Sequence, residues 1–195
     1  MTYQKITKMK LIGNGPSRDL YRHVGIQYHD GAVCMCNYPD LPNPPFWRDY
    51  ISIVDRRCMD YLNQHKIPTE KIELLGTIWT TPQLKQLADS WGWNIPVLAV
   101  YDKVLMNSAA TAAYFATTKY ETIEIWGCDA LWSNVTDSKV DKYIERHQRP
   151  NNLHNRWRQN WETVWKTGKE FVICCPQGVE KVDYGENVKW REVTR

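Results

Sequence analysis

The stretch Met9-Lys10-Leu11-Ile12-Gly13-Asn14-Gly15-Pro16-Ser17-Arg18 sets a largely apolar run directly against two glycines, a proline and a serine. The run reads as a strand over Met9–Ile12. The glycines let the backbone turn sharply and come close to a bound group, and successive N–H groups in such a turn make an anion nest. Pro16 fixes one φ angle, and Ser17 is placed to cap a helix whose dipole favours phosphate. Asn14 adds an amide that both donates and accepts. A glycine loop at the carboxyl end of a first strand is where open α/β sheets bind ligands. The competing reading is a tight strand-to-helix turn with no ligand. The dinucleotide fingerprint GxGxxG would require a glycine where Arg18 stands, and the Lys and spacing of a Walker A loop are absent.

Outward from this string the chain alternates β-rich runs with helical segments. Strand character recurs at Ala32–Cys36, Tyr50–Val54, Lys71–Leu75, Pro96–Val100, Thr122–Trp126 and Phe171–Cys175. Several of these are continuous apolar stretches, as strands covered on both faces require. Thr81 and Pro82 suit the N-cap and first position of a helix carrying Leu84, Leu87, Ala88 and Trp91 on one face, ended by Gly92. Asp55 opens a helix through Cys58, Met59 and Leu62. Ser108 caps one of small residues, and Leu153, Trp157, Trp161, Val164 and Trp165 form an amphipathic stripe before Gly168. The turn residues Tyr184-Gly185-Glu186-Asn187 suggest a hairpin across Lys181–Trp190. Such alternation predicts an α/β fold: a single three-layer domain over residues 1–195, with a mostly parallel sheet of about six or seven strands. Residues 38–47, YPDLPNPPFW, form a stiff Pro-rich loop, and 131–150, polar and without a period, have the length of a lid.

Composition narrows the function classes. With 43% apolar and 24% charged residues the chain is globular rather than disordered or fibrous. A net charge of +3 does not indicate nucleic acid as a partner, although it does not forbid one. No apolar stretch is long enough for a membrane span, and MTYQKITKMK has no apolar segment of the signal-peptide kind, so the expected location is cytoplasmic. The six cysteines then read as reduced thiols. Cys34-Met35-Cys36 has the wrong interval for zinc, so no metal site is expected, and the Asn134-Val135-Thr136 sequon is a chance match.

A second string follows about ninety residues after the first: Asn107-Ser108-Ala109-Ala110-Thr111, a strand over Thr122–Trp126, then Gly127-Cys128-Asp129. It describes a helix with amide and hydroxyl groups at its start, a buried strand, and a carboxylate leaving the sheet at its functional edge.

Together the two strings resemble the bacterial sialyltransferase-like glycosyltransferases. They also resemble the related domain of motility-associated glycosyltransferases and of the archaeal type of pterin diphosphokinase. The resemblance covers roughly Lys10–Asn37 and Met106–Trp132. It implies a Rossmann-like fold and a nucleotide-sugar co-substrate, with transfer to a hydroxyl acceptor and no obligatory metal or other cofactor. It implies contacts to that nucleotide from Gly13, Asn14, Gly15, Pro16, Ser17, Asn37, Asn107, Ser108 and Asp129. The chain departs from the family at Ala109 and Ala110, where a glycine usually follows the Ser/Thr. The family also employs a histidine base late in the chain, for which His147 and His154 are the candidates. Two other readings stand beside this one. Pyrophosphoryl transfer from ATP would require Mg²⁺ held by carboxylates such as Asp129. A non-catalytic nucleotide- or protein-binding module would keep the fold without the base. Arg146, Arg149, Arg156 and Arg158 interleaved with Trp157 and Trp161 have a nucleic-acid-binding look, but the Trp spacing is that of a core stripe. Phe46 and Trp47 are candidate ring platforms for a sugar or base.

Overall fold

The structure is a computed structural model and describes residues 7–24, 30–37, 48–70, 76–144 and 149–194. Eight parallel strands form one sheet in the order β5-β4-β3-β2-β1-β6-β7-β8. They are β1 (Lys8–Ile12), β2 (Ala32–Cys36), β3 (Tyr50–Ser52), β4 (Thr77–Thr80), β5 (Val97–Ala99), β6 (Thr122–Trp126), β7 (Glu170–Pro176) and β8 (Val188–Val193). The helices are α1 (Asp19–His23), α2 (Arg56–Gln64), α3 (Ile67–Glu70), α4 (Pro82–Ser90), α5 (Ser108–Ala116) and α6 (Leu153–Trp165).

The three-layer α/β fold follows from alternation along each strand. Met9 and Leu11 of β1, Cys34 and Cys36 of β2 and Ile123 and Ile125 of β6 face α5 and α6. Their neighbours Ile12, Val33, Met35 and Trp126 face α1. Ile51 and Ile78 face α2 and α4 on that same opposite side. Helix α5 crosses β1, β2 and β3. It lies close because Ala109, Ala110, Ala112, Ala113 and Ala116 are all buried and small.

The sheet holds more strands than the six or seven expected, because β8 adds one at its edge. Lys71–Leu75 lies outside the described residues, and the strand forms just beyond it at Thr77–Thr80, where Thr-Ile-Trp-Thr supplies β-branched and aromatic side chains. The hairpin across Lys181–Trp190 is not formed. Residues 177–187 instead run back beside the sheet, so β8 enters parallel to β7 with Phe171 opposite Val188. That return is held by the Tyr184 hydroxyl donating to the Leu131 carbonyl at 2.6 Å and by Trp190 Nε1 donating to the Val182 carbonyl at 3.1 Å. Gly185 makes the reversal with φ +108°.

Of the two long irregular segments, 38–47, with Phe46 and Trp47, lies outside the described residues. The described part of 131–150 packs against the body of the fold in this structure. Val140 and Ile144 are buried beside α2, and Lys139 N donates to the Asn14 carbonyl at 2.8 Å. The six cysteines are free thiols. No described helix is long and apolar enough to cross a membrane.

Candidate functional site

The strand order reverses direction at one place. From β1 the chain steps through β2 to β5 on one side, then returns to place β6 on the other. The crevice beyond the carboxyl ends of β1 and β6 is thus the topological switch point, where ligands bind in open α/β sheets. A cleft of about 810 Å³ opens there. That volume lies within the range of small-molecule sites.

Both strings meet in this cleft. Gly13, Asn14, Gly15, Asn37, Asn107, Ser108 and Asp129 all line it, while Pro16, Ser17 and His154 do not. His147 lies outside the described residues.

The glycines are required by close packing of the two loops. Gly13 N donates to the Trp126 carbonyl at 2.7 Å, and Gly15 N to the Gly127 carbonyl at 2.8 Å. A Cβ at Gly13 would stand 2.5 Å from the Gly127 carbonyl oxygen. At Gly15 it would land on the Asp129 carboxylate. Gly15 has φ −65°, which any residue adopts, so space and not backbone freedom selects glycine there.

Ser17 does not cap a helix as expected. Its hydroxyl donates to Asp129 Oδ2 at 2.8 Å, and its amide to both carboxylate oxygens at 3.2 Å. The Asp129 carboxylate therefore occupies the N-terminal end of the Pro16–Arg18 turn, the place expected for a phosphate. Burial raises the Asp129 carboxyl above its ordinary value, while Ser17 and the charge of Lys139 pull it down. Among the described residues, no group of three or more His, Cys, Asp and Glu side chains gathers that could hold a metal ion.

Asn14 ties the first loop to β2, its Nδ2 donating to the Cys36 carbonyl at 2.7 Å. The buried Arg18 guanidinium donates to Asn14 Oδ1 at 3.3 Å and fixes that amide's orientation. Asn37, directly after β2, is buried with φ +56°, a conformation uncommon outside glycine but best tolerated by Asn and Asp. Its Oδ1 accepts from the Ser108 hydroxyl at 3.3 Å, linking β2 to the start of α5. The cap of α5 is Asn107 rather than Ser108: Asn107 Oδ1 accepts from Ala110 N at 2.7 Å. Asn107 Nδ2 is buried without a hydrogen-bond partner. An orphaned donor in a cleft wall is a vacancy that a ligand acceptor can fill.

Sequence reading assigned most of the remaining walls no role and placed Arg149 and Trp157 in the Arg/Trp pattern. Arg56 and Arg57 from the start of α2, with Arg149, supply positive charge. Val104, Met106, Val135 and Trp157 supply apolar surface. Among the described residues the exposed large hydrophobics are these first three and Leu98 alone, so apolar exposure concentrates at the cleft. The available signal was Val104-Leu105-Met106 just before the second string, an apolar run with no strand or helix to explain it.

Of the two late histidines, the described one, His154, does not line the cleft. His154 sits at the start of α6 with Nδ1 buried and unpartnered, away from the cleft lining. The nucleic-acid reading of the same helix weakens as well. Trp161 is buried, Arg158 donates to the Ala130 and Ser133 carbonyls at 2.6 and 2.9 Å, and Arg149 pairs with Asp141 at 2.7 Å. No family model, curated protein or solved structure matches the chain.

Proposed function

We propose that the chain is a transferase that takes a nucleotide-activated sugar in the switch-point cleft and passes the sugar to a hydroxyl acceptor. The observation that carries this reading is the composition of that one cleft. Two amides and a hydroxyl (Asn37, Asn107, Ser108), three arginines (Arg57 and Arg149, paired with Asp55 and Asp141, and the more exposed Arg56) and an apolar stretch with an indole (Val104, Met106, Val135, Trp157) line the same space. A nucleotide sugar offers the matching set: a flat base, polar hydroxyls and an anionic phosphate. Asp129 fills the end of the Pro16–Arg18 turn, so a ligand phosphate is better received near the start of α5 and the arginines. Neither histidine enters this reading.

The test is thermal unfolding with CMP, UDP, GDP and ATP, each with Mg²⁺ and with EDTA. Saturation to about a hundred times Kd should add about 2.7 kcal/mol of stability. For a chain of this size that is a rise of roughly 5–11 °C. A pyrimidine or guanine nucleotide that stabilises equally in EDTA is expected. Stabilisation by ATP alone, and only with Mg²⁺, would favour pyrophosphoryl transfer. No shift with any nucleotide would sink the donor reading.

A further inference from the structure

A transfer to a hydroxyl requires a proton acceptor, and the titratable groups that line the cleft differ sharply in what they are free to do. Among the described residues the carboxylates are Asp55, Asp129 and Asp137, and the thiols are Cys36 and Cys128. Asp55 is committed to α2: it accepts from the Arg57 amide at 3.0 Å and binds the Arg57 guanidinium through both oxygens, at 3.2 and 3.1 Å. Asp137 stands exposed on the outer wall, without the fixed hydrogen bonds that hold a carboxylate in one orientation toward a substrate. Burial pushes both thiols well above their ordinary value, so they keep their protons near neutral pH.

Asp129 is different. It is half-buried on the cleft floor at the switch point, its back face packed against Gly15. Ser17 fixes the plane of the carboxylate from behind, with the hydroxyl on Oδ2 and the amide shared between both oxygens. Oδ1 shares the Ser17 amide, and the residue's own backbone amide also favours the charged carboxylate; with two lone pairs on each oxygen, room is left for another donor.

We propose that Asp129 is the catalytic base of the transfer, its carboxylate taking the proton of the acceptor hydroxyl. This rests on the nucleotide-donor reading. In the step, the acceptor O–H bond breaks and the proton passes to an Asp129 oxygen. The electron pair left on the acceptor oxygen forms the new bond to the anomeric carbon of the sugar. The bond from that carbon to the phosphate oxygen breaks, and the nucleotide leaves with its electron pair. Asp129 then returns the proton to water. Ser17 is a positioning residue, acting through the carboxylate it holds.

The surroundings set the direction of titration. Burial disfavours the charged form, while the Ser17 hydroxyl, the Ser17 amide and the Lys139 ammonium favour it. Lys139 is itself bound to Asp19 at 2.5 Å, which weakens its pull. Cys128, the adjacent residue, keeps its proton, and Arg18 is engaged with Asn14. The balance leaves Asp129 above the ordinary carboxylate value, which makes it a stronger proton acceptor than a solvated aspartate.

The experiment uses the full chain and a panel of CMP-, UDP- and GDP-sugars. Binding is read by calorimetric titration, and nucleotide release is followed against pH with water or an added alcohol as acceptor. Asp129→Asn keeps the shape, and its amide oxygen still accepts from Ser17. We expect its Kd to stay within about threefold of the parent. Release should fall by about 10²–10⁴-fold and lose its acid limb. Ser17→Ala should fall less and move the acid limb to higher pH, because a donor to the charged form is gone. A passive structural role for Asp129 would not move that limb. Asp129→Asn releasing nucleotide at the parent rate would overturn the assignment. So would a variant that no longer binds the donor, which makes Asp129 a binding group, or a parent that binds donor yet releases no nucleotide at any pH. Failure of the parent to bind any nucleotide is visible in the titration before turnover is measured, and it removes the donor reading and this assignment together.

Discussion

The Ser17 hydroxyl lies 2.8 Å from Asp129 Oδ2, joining the loop after β1 to the loop after β6. The carboxylate thereby takes the end of the turn that a ligand phosphate would otherwise occupy. A glycine loop that looks like a phosphate cradle in sequence is here half-filled by the protein's own anion, and the open part of the cleft lies toward α5 and the arginines.

Gly15→Val should destabilise the fold, and not merely silence the site. Its side chain would displace the Asp129 carboxylate. Overpacking of this kind costs about 1–3 kcal/mol. Thermal unfolding should show a loss of about 2–4 °C for each of those kcal/mol. Combining Gly15→Ala with Asp129→Ala should cost less than the two changes summed, because the clash needs both groups. Additive losses would contradict the contact.

Asn107→Ala removes the cap of α5 and should lower stability by about 1 kcal/mol. Asn107→Asp should restore most of it, since the carboxylate accepts from Ala110 N and favours a helix start. The same pair separates cap from ligand contact. Asp lacks the donor of Nδ2, so Asn107→Asp should regain melting temperature but not nucleotide affinity. Recovery of both in calorimetry would show that Nδ2 has no ligand role.

Acid should weaken the far end of the sheet through Asp30. Burial pushes its carboxyl up, but hydrogen bonds and charge from Lys10 and Lys8 outweigh this and hold it at about 2. The folded value is below the ordinary 3.8, so the stabilisation is fully present above that pH and is lost as pH falls toward about 2. Asp30→Asn should flatten the melting temperature against pH within that window. It should also lower it at neutral pH, because Lys10, only 1% exposed, loses the carboxylate 2.8 Å away. An unchanged acid slope in the variant would place the titrating group elsewhere.

Arg56 lines the cleft with its side chain 72% exposed and only a 3.6 Å contact to Asp60. Arg56→Ala should leave stability within about 0.5 kcal/mol of the parent. Nucleotide affinity should weaken by about 3–5-fold, the scale of an exposed ion pair. The loss should shrink as salt is raised, because screening already removes that contribution in the parent. An effect independent of ionic strength would argue that Arg56 acts by shape.

What was legible in sequence was the part governed by local rules. Continuous apolar runs gave β1, β2 and β6, Thr81-Pro82 gave the start of α4, and the Trp stripe gave α6. The gathering of Gly13, Asn14, Asn37, Asn107, Ser108 and Asp129 in one cleft also agrees with the reading of the two strings. What failed needed distant partners. Ser17 looks like a cap until Asp129, far along the chain, arrives to accept its hydrogen bond. Tyr184–Asn187 has turn residues, yet Tyr184 and Trp190 are recruited by Leu131 and Val182, and the strand is drawn in parallel. Segment 131–150 has no period because its anchors follow no helix or strand spacing: Lys139 N docks on Asn14, while Val140 and Ile144 are buried beside α2.

The pairing of Lys8 with Thr122 joins neighbours in the sheet that are more than a hundred residues apart along the chain. Everything emerging from synthesis between them must be threaded to one side before that seam can close. Contacts of such long sequence separation are slow to find, since the loop entropy is lost before the strands reward it. A nascent chain that stops short of β6 lacks the Gly127–Ala130 wall of the cleft. Glycines that fit so closely against Gly127 and Asp129 make the last seam intolerant of a misplaced register. On the proposed donor reading, nucleotide protection in a refolding time course should therefore trail the first appearance of helical signal.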